Sequence, residues 1–323
     1  MALDERAATE LAASLLAEQP SAVRRFGDGK FSDVFLVATA AGEYVLRVAP
    51  PDTVRQLFYE YRMMRQEPEI HERLLRKTSV PVPPIPARDF TRTRIDRDFL
   101  IMPRLPGIPL SQASLPPAAR TRTWREWGYW VQAIHGCREA DGRFGYIGEH
   151  ACMSPQASWP AAFAIMWRKL LDDIVACGIY DDRQRTASLA LLDEHLAVFE
   201  SCRTSRLCHG DLWVTNVLVD EDGGVTGVLD FDRACWGDIE WDLAIAEYCG
   251  VTQPPFWDGY GRRVETHTGA AAVRRFFYLL YEHQKYIVIS MSSRRNDPAG
   301  ARRYADECLS RMTAFRDSGV PVF

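Results

Sequence analysis

Two short segments carry the polar side chains most suited to chemistry. His209-Gly-Asp211-Leu-Trp-Val-Thr-Asn216 supplies a carboxylate and, five residues later, an amide; Leu229-Asp230-Phe-Asp232 supplies a second carboxylate pair. Between them, Asn216-Val-Leu-Val-Asp220 and Val225-Thr-Gly-Val-Leu-Asp230 read as two apolar strands, and Glu221-Asp-Gly-Gly224 reads as their turn, glycine supplying positive φ. Such a hairpin returns Asn216 and Asp230 to one end of the strand pair, where a metal would sit.

That spacing suits phosphoryl transfer. Mg²⁺ is a hard octahedral cation that keeps several waters and takes one or two protein oxygens beside phosphate oxygens. Asn216 and Asp230 fit that task. The reaction is mainly positioning and charge neutralisation, and it needs a carboxylate to orient and deprotonate an acceptor hydroxyl, which Asp211 fits. Taken singly, His-Gly-Asp and Asp-x-Asp are also ordinary turn sequences. Their combination around one hairpin is what carries weight.

These segments, with Gly237-Asp238-Ile-Glu-Trp-Asp242-Leu-Ala244, make the chain similar to the aminoglycoside phosphotransferase family, whose members share a protein-kinase-like fold and phosphorylate small molecules. The resemblance implies Asp211 as catalytic base, Asn216 and Asp230 as Mg²⁺ ligands, and Asp242 as a brace for the catalytic loop. A eukaryotic protein kinase would carry Arg at Gly210 and a long activation segment ending in Ala-Pro-Glu. Here the Gly-Asp segment follows Asp232 within a few residues, which favours a small-molecule kinase.

The elements that must position these groups begin near the amino terminus. Arg24 to Val37 reads as strand, glycine-bearing turn and strand, followed by the apolar run Glu43-Tyr-Val-Leu-Arg47-Val48. In a kinase lobe the turn covers the phosphates, with Gly29 and Ser32 as the nearest contacts; a lone Gly-x-Gly otherwise marks a plain hairpin. Arg47 stands where a kinase has Lys against the α- and β-phosphates, and hygromycin-type family members resemble it in a Val-Leu-Arg-Val strand. Its planar fork differs from a lysine ammonium, and a solvent-facing strand arginine is the alternative. A carboxylate partner is expected from a helix over Thr53 to Lys77, with Glu67 ahead of Glu60 from its place before the Val80-Pro-Val-Pro83 strand entry. Asp98-Phe-Leu-Ile-Met102-Pro-Arg-Leu-Pro-Gly107 reads as a strand entering an interlobe hinge, where the resemblance implies adenine contacts from the Pro103 carbonyl and the Leu105 N–H.

Beyond the hinge, Ala118 to His135, Ser158 to Gly178, Gln184 to Ser201 and Gly269 to Met291 show helical spacing. The expected architecture is α+β and bilobal: residues 1–104 form a nucleotide-binding lobe of antiparallel sheet plus one long helix, and 105–323 a mainly helical catalytic and substrate-binding lobe. His71, His135 and His150 receive no catalytic role. Trp236, Trp241 and Trp257 read as core rather than cleft.

Bulk properties agree with a two-lobed enzyme. The 323 residues are 47% hydrophobic and 25% charged, ample for two cores. A net charge of −4 argues against nucleic acid, and no apolar run is long enough to span a bilayer. The charged start Met1-Ala-Leu-Asp-Glu-Arg is unlike a signal peptide, so a cytoplasmic monomer or homodimer is expected. The 8 Cys, scattered without a Cys-x-x-Cys pair, read as reduced thiols.

The substrate expected from the resemblance is a hydroxylated small molecule, with ATP or GTP as phosphate donor. An antibiotic of the aminoglycoside or related glycoside type is the leading expectation. A metabolic sugar, sugar-amine or amino-alcohol kinase is the alternative, because His-Gly-Asp-Leu-Trp also resembles fructosamine kinases; a nucleotide-binding pseudokinase comes third. Residues 251–323 hold 11 Lys+Arg against 7 Asp+Glu, which weighs against a strongly cationic substrate. Asp173, Glu240, Asp258 and Glu282 are the carboxylates considered for substrate contact.

Overall fold

The computed structural model describes residues 3–27, 31–54, 56–148, 152–292 and 295–323. Its first layer is a five-stranded antiparallel sheet of β1 (Ala22–Arg25), β2 (Asp33–Thr39), β3 (Gly42–Val48), β4 (Ala87–Asp89) and β5 (Phe99–Pro103), in the order β1-β2-β3-β5-β4. Strand alternation gives this sheet two apolar faces. Phe35, Val37, Leu46, Val48, Phe99 and Ile101 pack under α1 (Glu5–Leu15), which buries Ala8, Leu11 and Ala12. The opposite face carries Leu100 and Met102 with Met64 and Ala49. Val45 packs there too, so Arg47, two residues on, shares that inner face.

One expected element is shorter than the sequence suggests. Instead of a single helix over 53–77, turns run to a 3-10 segment at Met63–Gln66, and α2 spans only Glu67–Lys77. Arg62 adopts the left-handed conformation at φ 57°, which a helix interior excludes, and Pro68 takes the first turn of α2, where its missing N–H is harmless. The expected strand entry at Val80–Pro83 is extended but unpaired as a strand. Pro81, Pro83, Pro84 and Pro86 remove the donors a ladder needs, and the strand forms after them as β4.

Past β5 the chain adds two small sheets and seven helices among the described residues. β6 (Ile108–Pro109), β9 (Val217–Val219) and β10 (Val225–Val228) form the order β10-β9-β6; β7 (Gly145–Tyr146), β8 (Arg206–Cys208) and β11 (Cys235–Gly237) form β7-β11-β8. Around them lie α3 (Pro117–Gly136), α4 (Trp159–Ala176), α5 (Asp182–His195), α6 (Ile239–Tyr248), α7 (Pro254–Tyr260), α8 (Gly269–Met291) and α9 (Pro298–Ser318). The expected 184–201 helix ends as α5 at His195 and tightens into a 3-10 segment over Leu196–Ser201. Trp159, Phe163, Trp167 and Phe199 meet Phe277, Tyr278 and Tyr281 of α8 in the largest core. At the α3–α7 crossing, a Cβ on Gly128 would lie 1.9 Å from the Phe256 carbonyl oxygen and one on Gly259 1.8 Å from that of Arg125, so glycine is required at both. No described helix is long and apolar enough to cross a membrane.

Trp241 is buried in the largest core and Trp236 in a second, against which Trp257 packs. His71 is buried too. Its Nδ1 contacts the Pro83 carbonyl at 2.8 Å, and burial lowers its pKa to about 4. The folded protein therefore binds fewer protons at His71 than the unfolded chain does, and this stability, present above the ordinary pKa near 6.5, is lost as pH falls toward about 4. The loss is on the order of 3 kcal/mol. Urea unfolding at pH 7 and pH 4.5 should show His71→Leu losing less stability on acidification than the wild type; equal losses would contradict it.

Candidate active site

The catalytic segment leaves β8 and is held from behind by α6. Asp242, fully buried in the first turn of α6, accepts the His209 N–H at 2.5 Å and the Gly210 N–H at 2.8 Å, and the ring of His135 reaches it through Nε2 at 3.1 Å. Gly210 sits at φ 78°, and a Cβ there would lie 2.5 Å from the Arg233 carbonyl oxygen. Any larger residue would push the loop off the turn that follows Asp230. Removing the Asp242 carboxylate leaves two buried N–H groups without acceptors, so Asp242→Ala should destabilise the fold by about 2–5 kcal/mol. Chemical denaturation would measure this, and a change within 0.5 kcal/mol, roughly the range of neutral surface substitutions, would exclude the brace.

His209 fixes the loop from the other side. Its Nε2 lies 3.0 Å from the Leu229 carbonyl, which only accepts, so Nε2 carries the proton; Nδ1 then accepts the Asp211 N–H at 3.2 Å. Its ring packs on Phe231, 4.4 Å between centroids. One neutral imidazole thus ties Asp211 to the end of the β9–β10 hairpin. The Leu229 N–H to Asn216 carbonyl bond at 2.9 Å closes that hairpin. Asn216 donates through Nδ2 to both the carbonyl and the Oδ2 of Asp211, each at 3.0 Å, which orients the carboxylate and turns its own Oδ1 the other way.

Arg47 bridges the two parts of the molecule. Its Nη1 lies 2.6 and 2.8 Å from the two oxygens of Glu67, while Nη2 reaches Asp230 at 3.0 Å and Asp232 at 3.4 Å. Glu67, not Glu60, is therefore the partner from the α2 segment. Asp230 takes the left-handed conformation, φ 70° and ψ 60°, at the entry to a 3-10 turn over Phe231–Arg233. Asp tolerates that region better than most residues, and the strained turn brings Asp230 and Asp232 to the same guanidinium. Gln66, buried just before α2, points its Nε2 at the carbonyls of Phe231, Asp232 and Ala234 at 2.6–3.2 Å and holds this turn to the first layer.

Burial raises all three carboxylates, and Arg47 opposes it. Asp230, which feels the charges of both Arg47 and Arg233, ends below its ordinary pKa despite burial; Asp232 is pushed well above, by burial and then by Asp230; Glu67 rises to about 7. Arg47 itself is held above its ordinary value by these anions despite burial. Glu67, Asp230 and Asp232 each place an oxygen within 4.8 Å of the others. An excess of carboxylate over cation, all hard oxygen donors, fits a divalent ion such as Mg²⁺.

Asp232 and Arg233 belong to the site without a role expected from the sequence, and Glu60, expected second to Glu67 as the Arg47 partner, meets Arg233 instead. Arg233 lies between Asp211 Oδ1 at 3.6 Å and Glu60 Oε1 at 3.5 Å. Glu60 also accepts the Leu57 N–H at 2.9 Å, and burial raises its pKa. The signal available was the unbroken Asp230-Phe-Asp232-Arg233 run: its alternation of charge around one buried aromatic suits a tight turn, with Phe231 inside and the charges toward a shared cleft.

The remaining expected positions are placed as follows. Arg104 donates its N–H to the Glu43 carbonyl at 2.9 Å, so the strand alternation turns the Pro103 carbonyl to the other side, past the end of β4; Leu105 lies two residues beyond the end of β5. Ser32 is buried and lines a small cleft with Asp232, Glu60 and Met64. Gly29 and His150 lie outside the described residues. Of the carboxylates considered for substrate, Glu240 pairs doubly with Arg274 at 2.8 and 2.9 Å, Glu282 with Lys285 at 2.6 Å, and Asp173 accepts the Phe58 N–H at 2.7 Å. Asp258 is exposed, 3.9 Å from Arg125.

The sequence model described as "Phosphotransferase enzyme family" matches residues 22–277, and the chain belongs to that family. A protein of Vibrio cholerae described as a probable ketoamine kinase is 53% identical over 55 residues, which are 17% of this chain and 18% of that protein's length. Another of the same description, from Vibrio vulnificus, is 26% identical over 244 residues, 72% of this chain and 74% of the relative. Among solved structures, a protein described as a fructosamine-3-kinase of Haemophilus somnus superposes with TM-score 0.65 at 16% identity, covering 94% of this chain and 96% of its own. The aminoglycoside phosphotransferase APH(4)-Ia, in ternary complex with AMP-PNP and hygromycin B, gives 0.62 at 20% identity, covering 98% and 99%. At such identities the structures establish the fold, which is bilobal and protein-kinase-like. The protein is a small-molecule phosphotransferase.

Proposed function

We propose that the chain transfers the γ-phosphate of ATP or GTP to a hydroxyl of a ketoamine, a sugar carrying an amine-linked substituent. The reaction type rests on one observation: Asp211, oriented by Asn216 on the loop that Asp242 braces, meets Arg233, whose charge also acts on Asp230 and Asp232, the carboxylates that share Arg47 with Glu67. Asp211 accepts the proton of the attacking hydroxyl at its carboxylate. Arg47, held in place by Glu67, neutralises α- and β-phosphate charge, and Ser32, just before β2, covers the phosphates together with Gly29. The Pro103 carbonyl and Leu105 N–H receive the adenine edge, with residues 1–104 as the nucleotide-binding lobe and 105–323 as the catalytic and substrate lobe. Asn216 and Asp230 would hold Mg²⁺, whose charge stabilises the transferred phosphoryl group.

The substrate class rests on the ketoamine-kinase description of the curated relatives and on the pairing of Glu240 with Arg274 and of Glu282 with Lys285. A polycationic aminoglycoside needs uncompensated carboxylates, and two of those considered are neutralised. The antibiotic reading keeps the support of fold superpositions at low identity, that on APH(4)-Ia among them. With fructose-derived amines, free sugars, hygromycin B and an aminoglycoside panel as acceptors, kcat/KM should favour the ketoamines by about 100-fold or more. A preference for hygromycin B or another aminoglycoside would overturn the substrate class.

A further inference from the structure

A cavity of about 310 Å³ lies behind the catalytic segment, lined by Gln132, His135 and Gly136 of α3, Arg206 of β8, Ile239 of α6, and Tyr260, Gly261 and Arg262 at the end of α7. Its volume is in the range of small-molecule pockets. None of its lining residues belongs to the nucleotide or acceptor apparatus described above, and the site rests on no assumption about the acceptor.

The lining is rich in cation and donor and poor in anion. Arg206 is half-buried, bonds the His135 carbonyl through Nη1 at 3.2 Å, and faces Arg138, its partner across an isolated bridge. Burial first, then the charges of Arg138 and Arg262, hold its guanidinium below its ordinary pKa. Among the described residues no carboxylate pairs with Arg206, Arg138 or Arg262. The acids of α6 and its cap are engaged elsewhere: Asp238 accepts the Glu240 N–H and the Tyr278 hydroxyl, Glu240 holds Arg274, and Asp242 is behind the His135 ring. Like charges gathered around a concave space are normally separated by solvent or met by a counter-ion.

We infer that this cavity is a binding site for a small polyanion, a phosphate monoester or a dicarboxylate, held by Arg206 and Arg262 with donors from Gln132. Guanidinium forks suit either group bidentately. The cavity wall includes the His135–Tyr260 pair: Tyr260 hydroxyl meets His135 Nδ1 at 2.8 Å, and Nε2 of the same ring meets Asp242. An occupant would lie against the ring that supports the Asp242 brace.

Calorimetric titration of the full chain with glycerol 3-phosphate and with succinate, at fixed ionic strength and with saturating Mg-AMP-PNP, tests the site. Saturable binding of either anion is expected. Arg262→Glu, at an exposed position, should weaken it by about tenfold or more without changing AMP-PNP affinity, and Arg206→Gln should act in the same direction. Which anion binds more tightly separates a phosphate from a carboxylate ligand. Lack of saturable binding by both, displacement by AMP-PNP, or unchanged affinity in both variants would overturn the inference.

Discussion

Asp211→Asn should lower kcat by about 10²–10⁴-fold, the usual contribution of a positioned general base, while the Kd for AMP-PNP stays near that of the wild type. The amide has almost the shape of the carboxylate and can still accept from Asn216 Nδ2, so the loop held by Asp242 and His209 keeps its geometry. What disappears is the basic oxygen that takes the hydroxyl proton. The Arg233 contact at 3.6 Å weakens too, but Arg233 retains Glu60. A fall in kcat with intact nucleotide binding separates loss of a base from loss of structure. Turnover within a few fold of wild type would remove Asp211 from the mechanism.

Arg47→Met should have the second largest effect, on stability and on nucleotide affinity together. It leaves Glu67 fully buried, and Asp230 and Asp232 lose the cation they share. Breaking a buried pair in this way costs about 3–5 kcal/mol. The sign with pH follows from the carboxylates: without Arg47 the already raised folded-state pKa values of Glu67 and Asp232 rise further, and Asp230 loses a cation that holds its own low, so the destabilisation is greatest at alkaline pH and shrinks as acid protonates them. Arg47→Lys retains the charge and should recover part of both properties, since a single ammonium does not reach Glu67 and Asp230 as a planar fork does. Urea unfolding in EDTA at pH 6 and pH 8, with AMP-PNP titration, measures both. Wild-type stability and affinity in Arg47→Met would make Arg47 a bystander.

Much of this site is legible in sequence because it is local. His209 to Asn216 and Asp230 lie on one hairpin, whose apolar runs and glycine turn read directly, and β9 and β10 form there. The long helix Gly269–Met291 is legible for the same reason: its repeated aromatic spacing has only one regular solution. The 53–77 segment is not, because apolar spacing there is compatible with helix while Arg62 and Pro68 set the boundary through backbone conformation. Helices α6, α7 and α9 pass unread for different reasons: α6 is apolar nearly all round, α7 is short, and α9 has many charges around a narrow buried stripe of Ala301, Ala305, Cys308, Met312 and Phe315. The Arg47–Glu67 pairing depended on which turn α2 begins, and the Arg233–Glu60 contact joins residues far apart in the chain, a distance that no periodicity reports. Pairing of Glu240 and Glu282 with Arg274 and Lys285 was likewise invisible in a count of charges, which registers the excess of cations but not where each one sits.

Phosphorus NMR of the reaction with ATP, Mg²⁺ and a fructose-derived ketoamine follows transfer of a phosphoryl group from nucleotide to a carbon-bound hydroxyl. A phosphate monoester resonance, coupled to protons or carbon of the sugar, should grow in equal amount with ADP, depend on Mg²⁺ and be lost in Asp211→Asn. ADP accompanied only by inorganic phosphate, or no nucleotide turnover across the ketoamine, sugar and aminoglycoside acceptors, would contradict it.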